Sequence, residues 1–165
     1  GGGAGFLSHA CLEGCPSILE VYLTLWEQTQ SFVHSPLARI AMQRKLRRAL
    51  GYLRGYAKIY ALGRPRLALH QGRYAWLQGR TEQARQSLEQ CLHLAEQLGM
   101  PYEQALAHQW LGKIAKQQAR GTRGWEDVDW QRHLKTAQAL FMQVRATWEA
   151  QQLAQLLDEN NSSSG

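Results

Sequence analysis

The sequence predicts an all-α fold in which antiparallel helix pairs stack on one another. Apolar residues recur at intervals of 3 and 4 along the 165-residue chain, the period of a helix, and no stretch alternates as a strand does. The sequence Leu62-Gly63-Arg64-Pro65 returns 36 residues later as Leu98-Gly99-Met100-Pro101. A helix pair that repeats at about this length is typical of a helical solenoid.

The N-terminal part of the chain is expected to hold two helices. Residues 1–16 are glycine-rich at their start and are expected to be a flexible segment. The first helix is expected to start after Pro16-Ser17 and to run to about Val33. A basic helix is expected from Pro36 to the stop at Leu62-Gly63. Two glycines inside it are expected to mark a bend or close packing: Gly51 and Gly55. Its apolar side is expected to hold Leu37, Ile40, Ala41, Leu46, Ala49, Leu50, Leu53, Tyr56, Ala57 and Tyr60.

A single helical-repeat domain is expected over residues 17–158, with repeat pairs at about 65–98 and 101–146. In each copy of the repeated sequence, we interpret the glycine as a helix cap and the proline as the start of the next helix. The first pair should consist of helices 65–78 and 81–98. The apolar stripe of its second helix is matched by apolar residues at every position 46 residues later: Leu88, Cys91, Leu94, Ala95 and Leu98 correspond to Leu134, Ala137, Leu140, Phe141 and Val144.

The C-terminal part departs from a regular repeat. An insertion loop is expected at 117–129, because the second pair is longer than the first. The segment from Trp148 to Leu157 is expected to cap the array. Residues 159–165 have the composition of a flexible linker and are expected to be a disordered tail.

These features resemble tetratricopeptide repeats, a family of paired helices with small residues at fixed positions. Residues in the first pair match the small and large positions of the family pattern: Gly72, Ala84, Leu88 and Cys91. In the second pair Gly112, Leu134 and Ala137 match, but Trp130 stands where a small residue is expected, so the register of that pair stays open. The resemblance implies a short right-handed solenoid in which small residues let two helices approach closely. The alternative is a plain helical bundle with coincidental spacing.

A narrower resemblance covers residues 18–157. The segment from Tyr56-Ala57 through Gly63-Arg64-Pro65-Arg66, followed by Leu98-Gly99-Met100-Pro101-Tyr102-Glu103, is similar to the C-terminal repeat regions of large bacterial signalling ATPases. Those proteins join a nucleotide-binding core to kinase, adenylate-cyclase or transcriptional output domains. The resemblance implies a scaffold or regulatory arm of a larger signalling protein. The chain itself has no Gly-Lys-Ser/Thr phosphate loop.

Positive charge is concentrated in one part of the chain. The net charge is +6, yet no acidic residue lies between Glu27 and Glu82, where nine arginines and two lysines give +11. A block this one-sided favours an anionic partner, such as an acidic protein surface, nucleic acid or another part of a parent protein.

The family resemblance implies a non-catalytic interaction module with a peptide site. Ligand contacts in this family come from the first helix of each pair, on the concave side. The corresponding positions here are Arg66, Leu69, Arg73, Trp76 and Leu77 in the first pair, and Leu106, Gln109, Lys113, Lys116 and Gln117 in the second. Because Arg73, Lys113 and Lys116 suit carboxylates, the predicted ligand is an acidic or C-terminal peptide segment.

The alternative function is nucleic-acid binding by the basic stretch 39–66. Its cations would contact phosphates and its aromatic residues would stack on unpaired bases. The candidate residues are Arg44, Lys45, Arg47, Arg48, Arg54 and Lys58. A third interpretation is that this helix docks on an acidic domain of a parent protein.

Catalytic, metal and cofactor sites are not expected. His9, Cys11 and Cys15 invite a zinc interpretation, but the second pair of ligands that structural zinc sites use does not follow. The acidic residues at 126–129 are too few for a calcium loop. A proton relay between His70 and His108 would require stacked helices. With neither a signal peptide nor an apolar run long enough to span a membrane, the expected location is the cytoplasm, with no membrane partner.

Overall fold

The structure, a computed structural model, describes residues 19–27, 36–119 and 128–162, and these residues form helices joined by short connections. The helices are α1 (19–27), α2 (Pro36–Ile59), α3 (Gly63–Leu77), α4 (Thr81–Gln97), α5 (Pro101–Ala119), α6 (Val128–Gln143) and α7 (Thr147–Ser162). The described part of the chain contains no strand, which confirms the predicted all-α class. None of these helices combines the length and apolarity that crossing a membrane requires.

Three helix ends share one capping geometry. Gly79 follows α3 with φ 73°, Gly99 follows α4 with φ 61°, and Arg145 follows α6 with φ 60°. In each case the next amide donates back to the helix: Arg80 to the carbonyl of Ala75 at 3.0 Å, Met100 to Ala95 at 2.8 Å and Ala146 to Phe141 at 2.8 Å. These left-handed residues satisfy carbonyls that the helix leaves open and reverse the chain into the next helix.

The two copies of the repeated sequence act differently. Gly99 is a left-handed cap as predicted, but the prediction that Gly63 caps α2 is wrong. Helix α2 ends earlier, at Ile59, and Gly63 is the first residue of α3. A Cβ at Gly63 would lie 2.5 Å from the ring of Tyr56, so glycine is required here for close approach between helices.

The same contact holds both predicted pairs together. A Cβ at Gly72 of α3 would lie 2.8 Å from Leu88 of α4, and a Cβ at Gly112 of α5 would lie 2.7 Å from Leu134 of α6. The backbone carbonyl of Trp130 faces Gly112 as that of Ala84 faces Gly72. The two pairs therefore share one register, because the backbone of Trp130, not its large side chain, occupies the crowded position.

The apolar residues form three clusters along the stack. Leu19, Leu23 and Trp26 of α1 pack with α2 and with Tyr74 of α3, so α1 and α2 form a further helix pair ahead of the two predicted ones. A middle cluster around Leu88 and Trp110 joins α3, α4 and α5. A third cluster around Phe141 joins α5, α6 and α7.

Several sequence expectations for α2 are wrong. Leu37 and Ile40 were expected on the packed side but are 78% and 46% exposed, and Tyr60, just past the helix end, is 41% exposed. Gly51 and Gly55 do not mark close packing within the described part of the chain, since a Cβ at either would meet none of its atoms within 4 Å.

The bounds of the C-terminal helices also differ from the predicted ones. Helix α5 continues to Ala119 and α6 begins at Val128, so both helices enter the stretch assigned to the 117–129 loop. Helix α7 extends to Ser162, into the predicted tail. Four segments lie outside the described residues: 1–18, 28–35, 120–127 and 163–165. The first two of these include the ends of the predicted first helix.

Candidate binding groove

A cavity of about 710 Å³ opens on one side of the stack. Its walls come from α1, α3, α5 and α7, the first helix of each pair and the final helix. The described residues that line it include four from each of α1, α3 and α7: Glu20, Val21, Thr24 and Glu27; Arg66, Leu69, His70 and Arg73; Trp148, Glu149, Gln152 and Leu156. Within each set, successive residues are 1, 3 or 4 positions apart, so each set lies on a single helix face. We call this cavity the groove.

Arg73 is a buried cation that lines the groove. Only 3% of the residue is exposed, and its guanidinium pairs with two carboxylates of α1, Glu20 and Glu27, the latter at 3.1 Å. The guanidinium also lies 4.7 Å from the ring centroid of Trp110. A buried cation is stable only when paired, and here α1 supplies the pairing charges. Arg73 therefore anchors α1 to α3, and its charge is compensated inside the chain.

A second ion pair connects two helices that line the groove. The Nε of Arg66 lies 2.8 Å from Oε1 of Glu103, whose side chain is 8% exposed, and so links α3 to α5. His70 lies between the two arginines on α3 and is buried. Burial, and then the charges of Arg73 and Arg66, lowers the pKa of His70 to about 3. His70 is therefore neutral at physiological pH.

Lys113 is the cation of the groove that forms no ion pair with the described residues. Its Nζ lies 4.8 Å from the ring centroid of Trp110. Burial lowers the pKa of Lys113, while the nearby Glu27 opposes that effect. A partly desolvated ammonium of this kind interacts more strongly with a carboxylate than one in open water.

Aromatic and acidic side chains of α5 and α7 also line the groove. The hydroxyl of Tyr102 on α5 donates to Oε1 of Glu149 on α7 at 3.0 Å. Burial, then the carboxylate of Glu149, raises the pKa of Tyr102 to about 12. Trp148 is 67% exposed and borders the groove beside this hydrogen bond.

The structure brings six of the ten predicted peptide-site residues to the groove: Arg66, Leu69, Arg73, Leu106, Gln109 and Lys113. Leu69 is only 3% exposed and contributes mainly to the middle core cluster. The other four, Trp76, Leu77, Lys116 and Gln117, do not line the groove. Trp76 packs against the same cluster, and the Nζ of Lys116 lies 5.2 Å from the ring centroid of Trp130.

The contributions of α1 and α7 were missed from the sequence. One signal for α7 was present, because Tyr102-Glu103 recurs 46 residues later as Trp148-Glu149. That is the spacing by which the α4 stripe recurs in α6, so it marks α7 as the first helix of a further unit. For α1 no motif offered a comparable signal.

His108 contacts a second histidine on α6. Its Nδ1 lies 2.8 Å from Nδ1 of His133, so one ring donates and the other accepts. Burial, then His133 and Arg132, lowers the pKa of His108 to about 4.

All six residues of the alternative site are exposed on α2. Two of them also contact neighbouring helices: Arg47 Nε donates to the hydroxyl of Tyr74 at 3.2 Å, and Lys45 Nζ lies 5.8 Å from the ring centroid of Tyr22. Arg48 Nε donates to the hydroxyl of Tyr52, which is 58% exposed. The helix thus presents cations with at least one accessible aromatic ring.

No cluster of three or more metal-binding side chains occurs within the described ranges. The cysteines and histidine of the zinc interpretation, and the acidic residues Glu126 and Asp127, lie outside those ranges. Cys91 is buried in the middle cluster, and burial, then Glu103, raises the pKa of its thiol to about 12. This thiol is therefore protonated and a poor nucleophile.

Fold and groove together define an all-helical stack of antiparallel pairs whose first helices share a concave surface. Comparisons with protein-family models, curated proteins and solved structures find no match to the chain.

Proposed function

We propose that this chain is a tetratricopeptide-like interaction module that binds a peptide segment of another protein, or of a parent protein, in the groove. The observation that carries the proposal is the groove itself, whose four walls come from successive first helices of the stack. Its volume lies within the range of pockets that bind small ligands and short segments. Tryptophan and tyrosine side chains with a few fixed polar groups are typical of surfaces that bind proteins.

Lys113 supports the proposed preference for an acidic or C-terminal segment. Arg73 offers little net charge to a ligand because Glu20 and Glu27 compensate it, and Lys116 lies outside the groove. A ligand carboxylate would replace solvent at Lys113 and form a charge-assisted hydrogen bond.

The test is selection of binders from a phage-displayed library of random peptides against the whole chain. The affinity of the best peptides is then measured by fluorescence anisotropy. Gln109→Trp fills the groove from α5, whereas Gln90→Trp places the same side chain on the exposed face of α4. We expect Gln109→Trp to weaken binding at least about tenfold and Gln90→Trp to leave it unchanged.

Equal affinities in the wild type and both variants would place the binding surface elsewhere. Failure to select any peptide would refute the proposed function.

The exposed basic face of α2 favours a second candidate, nucleic-acid binding. Six cations along one helix would give a salt-dependent affinity that falls steeply between low and physiological salt. The measurement is anisotropy of a labelled single-stranded RNA with the wild type and with Arg44→Glu/Arg48→Glu. Binding that the double substitution abolishes would support this candidate, and salt-independent or absent binding would exclude it.

Within a larger protein, such a module would act as a scaffold or regulatory arm. The resemblance to repeat regions of bacterial signalling ATPases supports a signalling role in the cytoplasm of a bacterium. The basic face of α2 would then be a docking surface for an acidic domain of the same protein.

A further inference from the structure

The charged side chains of the groove fall into two groups, those within an ion pair and those outside one. Arg73 pairs with Glu20 and Glu27, and Arg66 pairs with Glu103. Among the described residues, Lys113 and Glu149 are the charged groove residues without an ion pair. One is a cation on α5 and the other an anion on α7, so the groove holds one charge of each sign that no ion pair engages.

Each of these two charges is held in place by an aromatic side chain. The ammonium of Lys113 lies over the ring of Trp110, and the carboxylate of Glu149 accepts a hydrogen bond from Tyr102. Because Tyr102 donates to Glu149 without neutralising it, the carboxylate keeps its charge. Prepositioned charges lose little conformational freedom when a ligand binds, so more of the interaction appears as affinity.

We propose that the groove selects a bipolar segment, one that carries both a carboxylate for Lys113 and a cation for Glu149. This inference rests on the proposed peptide-binding function and narrows its ligand class. A purely acidic segment would leave Glu149 facing like charge, and a purely basic segment would do the same at Lys113. Such repulsion discriminates between ligands as effectively as attraction does.

The test uses an array of random octapeptides that are acetylated at the N-terminus and amidated at the C-terminus, so that only side chains carry charge. The whole chain is the labelled probe. We expect the captured peptides to contain an acidic and a basic residue together more often than the array as a whole. Replacing either charged residue of a captured peptide by glutamine should weaken binding about tenfold, the effect of one charge-assisted hydrogen bond.

A double-mutant cycle assigns each ligand charge to its partner. With Lys113→Gln, loss of the ligand's acidic residue should no longer matter, while loss of its basic residue still should. With Glu149→Gln the pattern should reverse. Exposed residues of α6 and α4 give matched controls, Lys135→Gln and Glu96→Gln, which should preserve the wild-type pattern.

The substitution at Lys113 needs a second form, because its side chain packs on Trp110. Lys113→Met keeps the aliphatic contact and removes only the charge, and it should give the same cycle as Lys113→Gln. Captured peptides without paired charges, or a cycle without coupling, would overturn the bipolar ligand and leave the proposed function standing. An array that captures nothing would overturn both.

Discussion

Gly72 and Gly112 set how closely the helices of each pair approach. A side chain at either position would meet a branched carbon of leucine and, at 3.1 or 3.2 Å, a backbone carbonyl of the facing helix. A carbonyl in a helix cannot move aside without breaking its own hydrogen bond. The close approach of α3 to α4, and of α5 to α6, therefore depends on the absence of a single carbon atom.

Gly72→Ala is expected to destabilise the fold by about 1–3 kcal/mol, the cost of overpacking a tight core. Gly55→Ala is the matched control, since it lies in a helix with no atom within 4 Å of its Cβ. There alanine should stabilise the fold by up to about 1 kcal/mol, because it favours the helix. Urea unfolding of both variants measures the two free energies, and changes of the same sign would contradict the packing argument.

His70 is expected to make stability depend on pH. The pKa of His70 is lowered to about 3 in the folded chain from 6.5, the ordinary value for an unfolded chain. Between those values the unfolded chain binds a proton that the folded chain does not. The contribution of neutral His70 to the free energy of unfolding is therefore complete above pH 6.5. As the pH falls below 6.5, this contribution decreases by about 1.4 kcal/mol per pH unit.

Urea unfolding at about pH 7 and about pH 5 measures this loss, before most carboxylates titrate. His70→Gln should make the difference between the two pH values smaller. An unchanged difference would show that the titration of His70 is not linked to folding.

The helices could be predicted from the sequence because their apolar period is local information. Their ends were less predictable. Gly99 caps α4 as expected, yet the similar Gly63 is the first residue of α3. Glycine is required at position 63 by a close contact with Tyr56 and not by a turn. The exposure of Leu37 depends on which helix lies beside the start of α2, and periodicity does not contain that information.

The groove was predictable only in part, for a similar reason. The family resemblance predicted a shared concave side for Arg66, Arg73 and Lys113, and all three line the groove. It did not reveal that Glu20 and Glu27 compensate Arg73, because those residues lie 53 and 46 positions away and meet it only through packing of α1. A cation in a sequence shows the potential for charge recognition, whereas its partners in the fold decide how much charge remains available.

Arg145 offers a test of helix capping, because it adopts the left-handed conformation that Gly79 and Gly99 adopt at the other two ends. A side chain in this conformation costs roughly 1 kcal/mol or more. Arg145→Gly is therefore expected to stabilise the fold by about 1 kcal/mol. Arg132→Gly, the same substitution on the exposed face of α6, should destabilise it by about 1 kcal/mol.

Thermal unfolding of these two variants gives the sign of each effect. A lower melting temperature for Arg145→Gly would mean that its side chain stabilises the turn more than its backbone conformation costs.

The helices contact mainly their neighbours in the chain, and the three apolar clusters follow one another along the stack. In a stack of this kind, stability is approximately the sum of each unit and its contacts with adjacent units. The groove spans all the units, from α1 to α7. A ligand that contacts every wall would therefore couple α1 to α7, which the apolar core connects only through the helices between them.

Phe141→Ala tests this arrangement in the third cluster. Phe141 is fully buried, so its truncation should cost about 3–5 kcal/mol. Hydrogen exchange should accelerate in α6 and α7 and change less in α2 and α3. Leu46→Ala, in the first cluster, should give the opposite distribution. Uniform acceleration in both variants would show that the chain unfolds as one cooperative unit.

The connection between α5 and α6 differs in length from its counterpart between α3 and α4, although the glycine–leucine contact in each pair is the same. From Gly72 to Leu88 there are 16 residues, and from Gly112 to Leu134 there are 22. The interface is thus insensitive to the number of residues that join its two sides, and doubling the length of a loop costs only about 0.6 kcal/mol. This connection is therefore a site at which additional sequence, whether an evolved insertion or an engineered reporter domain, can enter without altering the contact between Gly112 and Leu134.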